Sequence, residues 1–168
     1  MSPIRPDLVD CWIYRTGAGE PEILLIRRSP GRIFAGLWQC VSGSVEPGER
    51  IAMAALRELQ EETGFGLAAI EAFYDLDLVN MFHEPSYDAV VSSAVFAVRV
   101  AAGDEPQLSS EHDGSRWLPI SGAHREVVWP GYRTALERIR DDLSNPDRAP
   151  WFELTLDGRR RERSAADQ

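Results

Sequence analysis

Short apolar runs cover Val9 to Tyr14 and Ile23 to Arg28, with the turn-forming stretch Thr16-Gly17-Ala18-Gly19-Glu20-Pro21 between them, which predicts two strands. A loop containing Ser29, Pro30 and Gly31 leads to Trp38-Gln39-Cys40-Val41, a segment compatible with another strand, before Gly43 and the Pro47-Gly48 pair mark a turn. From about Arg50 to Glu62 the period changes. Ile51, Ala52, Ala55, Leu56 and Leu59 recur at helical spacing as one apolar stripe, while Glu58, Glu61 and Glu62 fall on the polar side. Gly64 supplies the stop, because glycine readily adopts the left-handed conformation that ends a helix.

Further along, Ile70 to Val79 and Ala89 to Val100 predict strands, the second rich in Val, Ala and Phe. Asp104 to Asp113 reads as an acidic loop, followed by a brief extended piece at Arg116-Trp117-Leu118 that meets Pro119. A second amphipathic helix is expected from Gly131 or Tyr132 to Leu143, with Tyr132, Ala135, Leu136, Ile139 and Leu143 on its apolar side and Asn145-Pro146 at its end. Trp151 to Leu156 is either an added strand or an interface segment, and the charged tail from Arg159 is expected to be mobile. The order strands, helix, strands, helix predicts a mixed sheet with helices packed on it.

A length of 168 residues suits one domain with a real core: residues 1–168 as a unit, the core over approximately 8–143 and a C-terminal extension at 144–168. Hydrophobic residues at 43% and charged residues at 27% fit a globular chain and exclude a disordered one. No stretch approaches the roughly eighteen apolar residues of a membrane span, and MSPIRPDLVD lacks a signal-peptide core, so a cytoplasmic protein with no membrane partner is expected. Cys11 and Cys40 form no metal-binding spacing and are expected as buried thiols. The net charge of −9, from 18 basic against 27 acidic residues, argues against a long nucleic-acid partner. It leaves a small polyphosphate open, with metal as the mediator.

The candidate chemistry lies on the acidic helix. Glu58 and Glu62 are one turn apart and can converge on one ion, and Glu61 projects near the same side. Such neighbours repel, so they call for solvent, basic partners or metal. Magnesium favours oxygen ligands and commonly combines a few carboxylates with water and phosphate oxygens. The alternative is a solvent-facing acidic face that improves solubility.

The run from Gly43 to Phe65 resembles, at every fixed position, the Nudix box G-x5-E-x7-R-E-U-x-E-E-x-G-U, with U apolar. Gly43, Glu49, Arg57, Glu58, Leu59, Glu61, Glu62, Gly64 and Phe65 fill it. The resemblance implies the Nudix fold, an alpha/beta/alpha sandwich with a mixed sheet. It further implies Glu58, Glu61 and Glu62 as metal ligands for Mg2+, with Mn2+ as the alternative ion, and the Ser42 carbonyl as a backbone ligand. Arg57 would pair with Glu49 and orient Glu58. A further acidic ligand or base often comes from a loop outside the box, and Glu111 leads Asp113 and Glu105 for that role.

For the substrate, Arg27 and Arg28 can face phosphate oxygens, Trp38 can stack on a base or pteridine, and Gln39 can read a heterocycle through its amide. Phe34, Phe82, His83 and Tyr87 are weaker candidates. The stretch Leu37 to Glu49, with Glu111-His112 and Trp117-Leu118, is similar to bacterial dihydroneopterin triphosphate pyrophosphatases, which overlap with nucleoside triphosphate pyrophosphohydrolases. The expected reaction converts a nucleoside or pterin triphosphate to monophosphate and pyrophosphate. The alternatives are a dinucleoside polyphosphate hydrolase and a non-catalytic nucleotide-binding or protein-interaction module. A homodimer through Trp151, Phe152, Leu154 and Leu156 competes with folding of that segment onto the same chain.

Overall fold

The structure is a computed structural model and describes residues 4–162. Its strands are β1 (Leu8–Arg15), β2 (Glu22–Arg28), β3 (Trp38–Gln39), β4 (Val41–Ser44), β5 (Ile70–Glu84), β6 (Ala89–Val100), β7 (His112–Pro119) and β8 (Glu153–Leu154). Its helices are α1 (Ile51–Thr63), α2 (Ile120–Glu126), α3 (Pro130–Arg138) and the single turn α4 (Ala149–Phe152), with a π-helical turn at Ile139–Leu143 prolonging α3.

One mixed sheet runs in the order β3-β2-β1-β6-β5-β8, with β4 also on β1 and β7 also on β2. β1 and β6 are parallel, whereas the other pairs are antiparallel. β3 pairs with the end of β2 and β4 with the start of β1, and only Cys40 separates them. The segment 38–44 therefore runs from β2 to β1 and carries the chain into the loop before α1.

Alternation along the strands divides the core between the two faces of this sheet. Val9, Cys11, Ile13, Leu24, Ile26, Phe73, Phe96 and Val98 meet Ala54, Ala55, Leu56 and Leu59 of α1. Trp12, Tyr14, Ile23, Leu25, Tyr74, Leu76, Val95 and Ala97 meet Ile120 and Ala123 of α2 and Tyr132, Ala135 and Leu136 of α3. The result is a sheet flanked by helices on both faces. α1 ends where expected: Gly64 takes φ 73° and its N–H reaches the Gln60 carbonyl at 2.9 Å.

Three features differ from the sequence reading. β5 continues beyond Val79 to Glu84 because it stays paired with β6 as far as Glu84↔Ala89, so hydrogen bonding sustains it where burial has stopped. β7 begins at His112 rather than Arg116, since pairing with β2 reaches Arg28↔His112. α2 opens directly after Pro119, which caps it, and is buried through Ile120 and Ala123. Between Trp151 and Leu156 the added-strand alternative holds in part: after the turn α4 the chain forms β8, whose Leu154 pairs with Phe73 of β5.

The described part of the charged tail is tied down instead of loose: Arg160 bridges to Leu154 and meets Asp75 at 2.9 Å. Residues 163–168 of that tail lie outside the described residues. Both cysteines are buried free thiols. Among the described residues no helix is long and apolar enough to cross a membrane.

Leu59 is fully buried between α1 and the sheet. Leu59→Ala is expected to lower the unfolding free energy by roughly 2–5 kcal/mol, read from urea denaturation. A loss under ~1 kcal/mol would contradict the packing of α1 by this face.

Candidate active site

The fourteen residues from Gly43 to Leu56 bring the chain from β4 across a loop and onto α1, and they also set the geometry of the acidic face. Gly43 lies under Glu58, and a Cβ at position 43 would coincide with the Glu58 carboxylate. Glycine is required there for close approach, so the opening residue of the motif and its first helix carboxylate form one packing unit.

Arg57 ties the loop to the helix. Its Nε donates to Glu49 Oε1 at 2.8 Å and its Nη2 to Glu49 Oε2 at 3.0 Å, a two-pronged arrangement that fixes both planes. Nη2 also donates to the Ser44 carbonyl at 2.8 Å, and Nη1 to Glu58 at 2.8 Å and Glu61 at 3.3 Å. Glu49 in turn accepts the Glu46 backbone N–H at 3.0 Å. The hydrogen bonds from Arg57 hold the Glu49 carboxyl below the usual carboxylate range.

Glu62 sits deeper. It is 5% exposed, and its Oε2 is buried without a hydrogen-bond partner. Burial first, then the charges of Glu58 and Glu111, push its pKa up to about 8, while the Ser42 backbone N–H and Arg28 pull the other way. Glu58 is raised for the same first reason, against the opposing pull of Arg57. The neighbour of Glu62 is His112, whose Nε2 lies 3.9 Å from Oε2 and 3.4 Å from Gln39 Nε2. Burial, with Arg28 nearby, lowers that imidazole to about 4 and keeps it neutral at neutral pH.

Glu111 arrives from outside the motif. Ser109 N–H donates to the Glu62 carbonyl at 3.1 Å and Gln107 N–H to the Thr63 carbonyl at 2.8 Å, so the end of α1 anchors the loop that carries it. Ser29 N–H then donates to the Glu111 carbonyl at 2.9 Å. The Glu111 carboxylate meets Arg28 at 3.4 Å and Arg32 at 3.7 Å.

The alternation of strands separates the remaining candidates. Arg28 faces the acidic side with Glu111, whereas Arg27 pairs with Asp113 at 2.7 Å and lies 5.6 Å from the Trp38 ring centroid. Trp38 packs against the core beneath α2 and α3, with the Arg116 guanidinium 3.8 Å over its ring. Gln39 points the other way and is buried beside His112. Glu58, Glu61, Glu62, Glu111, Arg57, Arg28 and Ser42 thus belong to one neighbourhood, and Arg27 and Trp38 to another. Arg32 and Ser109 were not distinguished in the sequence, since each lies in a loop whose partner is distant along the chain.

Among the described residues, no three His, Cys, Asp or Glu side chains already stand together as a ready metal cage. Arg57 accounts for this in part, because it occupies oxygens of Glu58 and Glu61. The donor set nevertheless fits a hard divalent cation: all candidate ligands are oxygens, and the buried Glu62 Oε2 is a carboxylate oxygen left without a partner. Positive charge at this place would reverse the upward shift of Glu62.

A family model described as the NUDIX domain matches residues 5–139. The chain is 36% identical over 121 residues to an octanoyltransferase of Myxococcus xanthus, a match covering 71% of this chain and 32% of that protein. It is 26% identical over 163 residues to an RNA pyrophosphohydrolase of Dinoroseobacter shibae, covering 84% of this chain and 99% of the other. The solved E. coli dihydroneopterin triphosphate pyrophosphohydrolase superposes with a TM-score of 0.69 at 24% identity, covering 81% of this chain and 95% of that one, a likeness of fold. These proteins carry different substrates in their names.

The Glu49 shift sets a pH dependence. Its folded pKa lies below its unfolded value, so its contribution is fully present above the ordinary carboxylate pKa of about 4.3 and is lost as pH falls through the folded value. Below pH ~4.3, wild-type stability is expected to fall more steeply than that of Glu49→Gln, measured by chemical denaturation across pH 3–7. Parallel curves would remove Glu49 from the set of stabilising carboxylates.

Proposed function

The chain belongs to the NUDIX domain family, and from that premise we propose that it is a divalent-metal-dependent pyrophosphohydrolase converting a nucleoside or pterin triphosphate to the monophosphate and pyrophosphate. It is a hydrolase of a phosphoric anhydride bond, read as a single unit over 1–168 with its core at approximately 8–143. One observation carries this reading: the loop bearing Glu111 is fastened to the end of α1, so that Glu111 and Arg28 face Glu58 and the partnerless buried oxygen of Glu62.

Glu58, Glu61 and Glu62, with the Ser42 carbonyl and Glu111, would hold Mg2+ or Mn2+, which supplies neutralisation of phosphate charge and a lowered pKa for bound water. The chain's own groups divide the remaining work. Arg57 fixes Glu58 and the loop from Ser44 to Glu49, keeping the carboxylates on one side. Arg28 offers a guanidinium to the phosphate oxygens from a half-buried position next to Glu111. In the reaction an oxygen of water attacks phosphorus, the anhydride P–O bond breaks and pyrophosphate leaves. Glu111 or one of the α1 carboxylates takes the proton of that water.

Hydrolysis of a panel of nucleoside and pterin triphosphates with Mg2+ or Mn2+, followed by mass spectrometry, is expected to yield monophosphate and pyrophosphate. Glu62→Gln is expected to reduce turnover by about a hundredfold or more, with Glu61→Gln as the companion variant. No product from any polyphosphate with folded protein overturns the reading. Nucleoside triphosphate plus monophosphate from a dinucleoside tetraphosphate, with the triphosphates untouched, selects the dinucleoside polyphosphate alternative.

A further inference from the structure

Strand pairing brings two polar side chains beside Glu62. Gln39 pairs with Ile26 of β2 and His112 with Arg28 of the same strand. Paired residues share a face, and Ile26 and Arg28 stand on the face of β2 that carries the packing against α1. A register shift between Arg27 and Arg28 seats His112, rather than Asp113, opposite Arg28. The three side chains are buried: Gln39 is 6% exposed, Glu62 5% and His112 4%. The His112 backbone N–H donates to the Ser109 carbonyl at 3.2 Å, in the loop fastened to the end of α1. Its Nε2 lies 3.4 Å from the Gln39 amide nitrogen and 3.9 Å from Glu62 Oε2. The second distance is beyond hydrogen-bond length, and Glu62 Oε2 has no hydrogen-bond partner; buried His112 Nδ1 has none either.

A neutral imidazole carries one ring proton, and its position decides what Glu62 meets. On Nδ1 the proton would sit on a buried N–H without an acceptor, and the Nε2 lone pair would face the Glu62 carboxylate. Both consequences are unfavourable. On Nε2 the same proton has Gln39 and Glu62 as its neighbours, and the atom left alone at Nδ1 is an acceptor, the less costly orphan. The Gln39 amide suits this state once its oxygen rather than its nitrogen faces the ring, a half-turn that leaves the shape of the side chain unchanged.

We propose that His112 carries its proton on Nε2, that the Gln39 carbonyl oxygen selects this tautomer, and that His112 is a positioning residue holding the Glu62 carboxylate for the divalent cation. The inference rests on the proposed reaction for the cation and adds what holds its deepest ligand. Glu58 and Glu111 repel this carboxylate, and a side chain without a fixed partner can turn away from them and from the ion. A neutral N–H donor opposes that rotation and adds no positive charge to compete with the cation.

Proton–nitrogen correlation NMR of the imidazoles in the metal-free full chain at neutral pH reads the tautomer, with His112→Gln identifying the His112 signals. A protonated Nε2 and a bare Nδ1 are expected. A protonated Nδ1, or protons on both nitrogens, overturns the proposal. Mn2+ titration followed by electron paramagnetic resonance tests the consequence. Asparagine places its amide nitrogen where Nδ1 stands and glutamine near Nε2, so the two variants separate the position of the donor from the loss of the ring. His112→Asn is expected to weaken Mn2+ binding at least about tenfold and His112→Gln less than ~threefold, with circular dichroism and thermal melting as folding checks. Equal affinities in the two folded variants overturn the positioning role and leave the hydrolase reading standing. A folded wild type that binds no Mn2+ overturns both, and is told apart from the first case by the wild type alone. If either variant fails to fold, the wild-type tautomer remains the deciding measurement.

Discussion

The Arg57 guanidinium joins three parts of the chain that would otherwise repel or drift apart. It clamps Glu49 with two hydrogen bonds, reaches the Ser44 carbonyl at the end of β4, and touches Glu58 and Glu61 on its own helix. An isolated surface ion pair contributes little to stability. This one is different in kind, because a single planar cation serves three carboxylates and a carbonyl, and its rigid fork fixes their relative directions. The loop from Ser44 to Glu49, the pitch of α1 and the aim of Glu58 therefore depend on one another. Gly43 completes the coupling by leaving room for the Glu58 carboxylate.

Much of this arrangement was legible in the sequence because it is local. From Gly43 to Phe65 the spacing of charges, the apolar stripe and the glycine stop all lie within a few turns, and α1 follows them closely. Elements that depend on distant partners were read less well. β5 extends past its buried stretch because β6 continues to pair with it, and β7 starts early because β2 reaches it. α2 has only seven residues, too few for a periodic signal, and its burial against the core sustains it.

The site shows the same division. Glu111 could be proposed as an acid in a loop, but its approach to α1 depends on backbone hydrogen bonds from Ser109 and Gln107 to the last turn of the helix. Trp38 and Gln39 look equivalent as neighbours in sequence, yet the two-residue period of a strand sends them to opposite faces of the sheet. The same period separates Arg27 from Arg28. Asp10 escaped notice because one carboxylate within an apolar run resembles a break in a pattern, and only the register of three strands reveals its polar neighbours.

Ser42 shows why a strand can organise such a site better than a loop. Its backbone N–H favours a charged Glu62 on the α1 side, while its hydroxyl does the same for Asp10 on the other side. Both carboxylates are buried, and the residue they share is fixed by pairing with β1.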